Sequence, residues 1–258
     1  MIKGYTAAQI RAAEAPLLAA GVPLMRRAAA ALAAEVRREL GDAGRRAGRI
    51  LILAGSGDNG GDALYAGAEL AREGVEVCIL TTGDRVHEAG LAAALAAGAQ
   101  RTDAAGAVDF ARSADALLDG ILGTGTGANP ALRGRAREAV AALIPVVTPG
   151  AAPGVIPVVT PGAAPKPGAG EAGSAGGRDR PRVIAVDIPS GISPDDGTVP
   201  DPLVLPADVT VTFGGCKAGL LLPPASALAG EVRLIDIGLG DELAKVEPVV
   251  VVEQRPGT

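Results

Sequence analysis

The stretch GSGDNGGD at 55–62 carries two chemistries at once. Gly55, Gly57 and Gly60 spell G-x-G-x-x-G, a spacing that lets backbone N–H groups approach a dinucleotide pyrophosphate. Asp58 and Asp62 put carboxylates into the same loop, where a phosphate would be repelled. Asn59 lies between them and offers a neutral oxygen, a hard donor suited to a cation. Asp119, followed by GILGTGTGAN (120–129), adds a carboxylate, and Ser190, within DIPSGISPDDG (187–197), adds a hydroxyl. One amide, one carboxylate and one hydroxyl carry little negative charge. Such a set suits a weakly charged cation better than a tight Ca²⁺ cage.

Three further residues invite proton chemistry. Asp187 ends an apolar run and precedes Pro189-Ser190-Gly191, so it is either a general acid/base in a cleft or the residue that holds a tight turn. Lys217, one of four lysines, sits in FGGCKAGLL (213–221). It is placed to contact phosphate, to assist proton transfer, or simply to be a solvated surface lysine. Asp62 either caps the helix that follows or faces a ligand. His87, the only histidine, stands at a helix start without a paired nucleophile or ligand cluster and is assigned no role.

These residues need elements to hold them. Short apolar runs rich in Val and Ile recur at 49–55, 75–80, 115–122, 182–188, 208–214 and 231–237. Helix-length segments lie between several of them, at 62–73, 86–98 and 131–143. Two helical patterns precede the first strand: one opens at Thr6 and stops near Gly21, the other runs from Pro23 to Leu40 with Leu24, Ala28, Leu32 and Val36 on one face. The pattern predicts an α/β fold, a Rossmann-like three-layer sandwich with a mostly parallel central sheet and two N-terminal helices. In such sheets ligands bind where loops leave the carboxyl ends of the strands. The chemistry-bearing loops all follow strands, so they are predicted to converge on one edge.

One stretch breaks the pattern. IPVVTPGAAPGV (144–155) is repeated as IPVVTPGAAP (156–165) and runs into a Gly/Ala/Ser-rich tail. Regular prolines favour an extended path, so about 148–181 reads as a loop inserted into a single domain spanning 1–258. The same prolines exclude a membrane helix there.

The 258 residues carry a net charge of −5 and four aromatic side chains, Tyr5, Tyr65, Phe110 and Phe213. Nothing in that balance favours nucleic acid. Cys78 and Cys216 lie far apart and read as small buried strand residues of a reducing compartment. The N-terminus lacks the apolar core of a signal peptide, so a soluble, cytoplasmic protein is expected. An acidic residue for the ribose is missing at the end of the second strand, where Asp84 comes late. That argues against an ordinary nicotinamide dehydrogenase.

Five segments, taken in order, resemble the YjeF N-terminal domain family, the NAD(P)H-hydrate epimerases: 5–25, AGSGDNGGDALYAGAEL (54–70), DGILGTGT (119–126), VDIPSGISPDDG (186–197) and ADVTVTFGGCKAGLLLPPA (207–225). The resemblance implies interconversion of the R and S forms of hydrated NADH and NADPH, which bear a hydroxyl at C6 of the nicotinamide ring. It implies a potassium ion on Asn59, Asp119 and Ser190. It implies dinucleotide contacts from Asp58, Asn59, Gly60, Gly61 and Asp62, from Gly123, Thr124, Gly125, Thr126, Gly127, Ala128 and Asn129, and from Asp187. Asp187 would carry the proton, with Lys217 beside it. A homodimer and a functional partnership with a dehydratase are further expectations of the family; the chain stops at RPGT (255–258) without room for that domain, as a stand-alone enzyme or a piece of a bifunctional one. Asp58 departs from the family's usual Asn and Ala63 from its frequent Gly. The competing expectation is a non-catalytic nucleotide-binding scaffold of the same fold.

Overall fold

The computed structural model describes residues 1–41, 48–125, 129–149 and 180–253. Seven strands form one sheet: β2 (Arg49–Ala54), β3 (Glu76–Thr81), β4 (Gln100–Thr102), β5 (Ala116–Gly120), β6 (Arg182–Val186), β7 (Val209–Phe213) and β9 (Glu231–Ile235). Their order is β4-β3-β2-β5-β6-β7-β9, and every pair is parallel. The six strands read from the apolar runs are all present, and the sheet is parallel throughout where a mostly parallel one was predicted. The chain leaves β2 towards β3 on one side, while β5 pairs with β2 on the other. The switch point therefore opens between the carboxyl ends of β2 and β5.

Helices cover both faces, which explains the continuously apolar strands. Ile50 and Ile52 of β2 point into a core with α2 (Leu24–Leu40), α3 (Asp58–Arg72) and α4 (Glu88–Ala96). Leu51 and Leu53 point the other way, against α5 (Ala104–Ala111) and α6 (Gly134–Val147). The predicted face of α2, Leu24, Ala28, Leu32 and Val36, is buried. At the N-terminus, Thr6 and Gln9 form a capping box that starts α1 (Ala7–Ala19). Among the described residues no single helix is long and apolar enough to cross a membrane.

Two helix boundaries differ from expectation. α3 begins at Asp58, not Asp62. Side-chain space decides this: a Cβ on Gly60 would run into the Gly55 carbonyl, and one on Gly55 into the Ile121 carbonyl. These glycines let the first helical turn pack directly on the β2 and β5 loops. α6 continues through Pro145 to Val147, so the first Ile-Pro-Val-Val copy is helical and not extended. Leu143 and Val147 are buried against the sheet, and that packing outweighs the lost proline N–H. The rest of the repeat from 150 and the tail that follows it to 179 lie outside the described residues.

A small second sheet was not foreseen. β1 (Ile2–Tyr5) pairs antiparallel with β10 (Val250–Val252), which follows the short helix α7 (Gly240–Leu243), and parallel with β8 (Cys216–Lys217). The register Tyr5↔Lys217 fixes the lysine. A two-residue strand carries no period that a sequence can display.

Candidate active site

Four loops leave the same edge of the sheet, after β2, β5, β6 and β7. Asn59 lies in the first turn of α3, buried, and its Nδ2 donates to the carbonyls of Val186 and Leu122, the latter at 3.4 Å. Asp119 is the fourth residue of β5, aligned with Leu53 on β2 and Ala185 on β6. Its Oδ1 accepts the Ser190 hydroxyl at 2.6 Å, and its Oδ2 accepts the Ser190 N–H at 2.8 Å. Ser190 Oγ in turn accepts the Leu122 N–H at 2.9 Å. Burial pushes the Asp119 carboxyl up, and the hydrogen bonds from Ser190 and Ile121 oppose it. Asn59, Asp119 and Ser190 are thus brought together around Leu122. A Cβ on Gly123 would strike the Asn59 amide, so only glycine lets that loop close over it.

The donor set can be tested against the potassium ion that the sequence resemblance implies. With Nδ2 spent on carbonyls, Asn59 presents Oδ1, for which the described residues supply no hydrogen-bond donor. Asp119 contributes the only formal charge, and Ser190 a hydroxyl. A single negative charge among neutral oxygens fits a monovalent cation. Among the described residues no three His, Cys, Asp or Glu side chains group as a metal site, which fits poorly with a transition metal.

Asp187 follows β6 with φ +68°, the only positive φ on a described residue other than glycine. An aspartate tolerates that conformation at a cost of about 1 kcal/mol. The strained backbone turns the carboxylate inward, where it is buried. Oδ1 accepts from Lys217 Nζ, from Thr212 Oγ1 at 3.2 Å and from the Phe213 N–H at 3.1 Å. Lys217 is only 2% exposed, so the surface-lysine reading is wrong; β8 carries it under the site. Its Nζ also donates to Thr212 Oγ1 at 3.2 Å and to the Phe213 carbonyl at 3.0 Å. Cys216 beside it is a neutral thiol, pushed up to about 11 by burial.

Asp62 does not cap α3, because the N-cap is Gly57. It stands inside the helix, 6% exposed, and among the described residues its Oδ1 has no hydrogen-bond partner. Its carboxyl is held well above the usual range, first by burial, then by the charges of Asp187 and Asp58, with Lys217 opposing. Asp58 is exposed in the first turn of the same helix. Gly60 and Gly61 are buried in that helix, and Gly57 has open space around it for a ligand to approach backbone.

Thr124 and Gly125 continue the β5 loop, and Arg11 of α1 holds the Thr124 carbonyl at 3.2 Å. Asn129, exposed, accepts the Ala131 N–H at 3.0 Å. Thr126, Gly127 and Ala128 lie outside the described residues. His87 caps α4 through Nδ1, and Asp84 is an exposed partner of Arg135. Arg135 borders a cavity of about 260 Å³ on the same edge, lined also by Thr81, Thr82, Thr102, Asp103 and Glu138 but by none of the site residues above.

Two contributors escaped the sequence. Thr212, facing Asp187, was detectable as a hydroxyl that alternates with Val in a buried strand. Glu14 had no signal. It is half-buried on α1 and pushed up by burial, with the Lys217 charge opposing and the charges of Asp187 and Asp58 adding. The Ala7 N–H donates to Asp195 at 2.6 Å, pinning α1 over the loop that carries Asp187.

Residues 21–219 match the family described as YjeF-related protein N-terminus. A protein of Clavibacter michiganensis subsp. michiganensis named NAD(P)H-hydrate epimerase is 52% identical, over 96% of this chain and 94% of its own. One of Clavibacter sepedonicus with the same name is 48% identical, over 95% and 94%. A Mycobacterium tuberculosis protein named bifunctional NAD(P)H-hydrate repair enzyme Nnr is 38% identical; the match covers 91% of this chain but 41% of that protein. The crystal structure of yeast ynu0, YNL200c, superposes over 98% of this chain and 97% of its own with a TM-score of 0.67 at 17% identity, so the fold is shared.

Proposed function

Because the chain belongs to the YjeF-related protein N-terminus family, we propose that it interconverts the R and S forms of hydrated NADH and NADPH. The observation that carries this is a 52% identity, end to end, with a protein named for that epimerisation. The scaffold reading has nothing comparable, since relatives at 44–52% identity bear the enzyme's name.

Epimerisation at C6 is redox-neutral. The C6 hydroxyl leaves, the N1 lone pair forms an iminium-like N1=C6 bond, and water adds to the opposite face. Asp187 is the carboxylate we assign to the proton of the returning water. Three donors aimed at Oδ1 hold it in place. Lys217 is a positioning residue, fixing Asp187 rather than meeting the substrate. The open backbone at Gly57 and the N-terminus of α3 suit the pyrophosphate. Asp58 to Asp62 and Gly123 to Asn129 are assigned to the rest of the dinucleotide. Asn59, Asp119 and Ser190 would hold the potassium ion, which would supply a fixed positive charge to offset the diphosphate. The S epimer would pass to a dehydratase, a partnership in keeping with relatives named bifunctional repair enzymes. We place the protein in the cytoplasm, where its substrates arise, and propose a homodimer.

The test is direct. Purified R-NADHX is incubated with the protein, with and without K⁺, and the S epimer is followed by chromatography. Conversion above the spontaneous rate, faster with K⁺, is expected. No conversion above background in either buffer removes the epimerase assignment.

A further inference from the structure

The reaction has two proton demands, and Asp187 meets only one. The leaving hydroxyl must gain a proton before the returning water loses one. Asp187 accepts at Oδ1 from three donors and is the group assigned to take a proton, not to give one. Lys217 has three N–H bonds, and they are directed at Asp187, Thr212 and the Phe213 carbonyl. Donating one would break the network that holds Asp187. A separate acid is therefore required.

Asp62 has the features of that acid. It is buried in α3, and its Oδ1 finds no hydrogen-bond partner among the described residues. A buried carboxyl oxygen left unpaired costs about 1–3 kcal/mol, so its natural partner is a ligand. The charges that face it are Asp58 one turn earlier on α3, Asp187 beyond β6, Glu14 on α1 and Lys217 on β8. Three carboxylates oppose one ammonium, and that ammonium is spent on Asp187. Burial and like charge together keep the proton on Asp62.

We propose that Asp62 is the proton donor of the reaction, giving its carboxyl hydrogen to the C6 hydroxyl as the C–O bond breaks. This rests on the epimerase reading. The bonding electrons leave with oxygen, which departs as water with the Asp62 proton, while the N1 lone pair closes the N1=C6 bond. The cation forms between two carboxylates, in a site whose surplus negative charge stabilises it. Water then adds to the other face, the π electrons return to N1, and the released proton goes to Asp187. Its return from Asp187 to Asp62 restores the enzyme. Asp58 gains a purpose here: charge awkward for a phosphate alone supports both the neutral acid and the cation.

Asp62→Asn keeps the shape and removes the proton. Its kcat for R-NADHX should fall about 100-fold or more, with KM little changed and binding of the tetrahydro-NADH lacking the C6 hydroxyl retained. Asp62→Glu should recover part of the rate. The wild-type rate should fall at alkaline pH as the acid ionises, a limb missing from the residual activity of Asp62→Asn. Independently of turnover, the wild type at neutral pH should show the infrared carbonyl band of a protonated carboxylic acid that Asp62→Asn lacks and Asp187→Asn keeps. A wild-type rate in Asp62→Asn, or no such band, overturns the proposal. A wild type that converts nothing above background overturns instead the epimerase reading on which it rests.

Discussion

Two partly buried clusters of charge lie at opposite ends of the sheet. At the amino ends of the strands, Arg233 pairs with Glu35 at 2.9 Å, Glu39 at 2.8 Å and Glu231 at 2.9 Å, while Arg182 meets Glu39 at 2.8 Å and Arg38 meets Glu35 at 3.1 Å. Three arginines face three glutamates. The Arg233 guanidinium is held above its ordinary value by Glu231 first, and the Glu231 carboxyl is held below its own by Arg233. At the carboxyl ends, Asp187, Asp62, Asp58 and Glu14 share Lys217. Both regions bury carboxylates, but only the first balances them. A balanced cluster locks α2 to β6 and β9. An unbalanced one leaves a carboxyl with an open oxygen and a retained proton, which is what a reaction can use.

The sharpest break in that contrast is Asp187→Asn. Asparagine tolerates φ +68°, so the fold should survive. Loss of the carboxylate should lower kcat about 10²- to 10⁴-fold, measured as R-to-S conversion at saturating substrate. A variant with full rate would return Asp187 to the status of a turn residue. At the other end, Arg233→Met should leave kcat per folded molecule intact. It removes the arginine that Glu35 and Glu39 share, leaving Arg38 and Arg182 as their remaining cationic partners, and should cost about 2 kcal/mol in urea unfolding. If it instead impaired catalysis without loss of stability, the division between a structural and a chemical end would fail.

The two regions also differed in how far the sequence revealed them. The parallel sheet was legible because strands buried on both faces, such as RILILA, must be apolar throughout. The site loops were legible because they follow those strands. Convergence of Asn59, Asp119 and Ser190 needs only that topology. What sequence could not display was pairing across distance. Glu14 reaches the site because Asp195 fixes α1 over it, and Lys217 because Tyr5 sets the register of β8. The α3 boundary was misplaced because Gly60 and Gly61 disfavour helix on propensity, whereas contact with the Gly55 carbonyl requires glycine at position 60. The arginine–glutamate cluster drew no notice for the same reason: nothing in EVRREL (35–40) marks its glutamates as buried.

The smallest effect tests the imbalance itself. Asp62 binds its proton more tightly in the folded chain than in the unfolded one, because burial and the Asp187 and Asp58 charges raise its folded value. Below the unfolded value, about pH 4, both states hold the proton and Asp62 costs nothing by this route. As pH rises above that, the unfolded chain releases its proton while the folded chain keeps it, so stability declines until the folded value is passed and then levels off. Asp62→Asn carries no such decline. The variant should match the wild type near pH 4 and exceed it at neutral pH, read from urea unfolding at both. The same substitution at Glu39, whose charge is paired with Arg182 and Arg233, should destabilise at neutral pH. An Asp62→Asn protein less stable than the wild type at every pH would mean that Asp62 belongs with the balanced cluster after all.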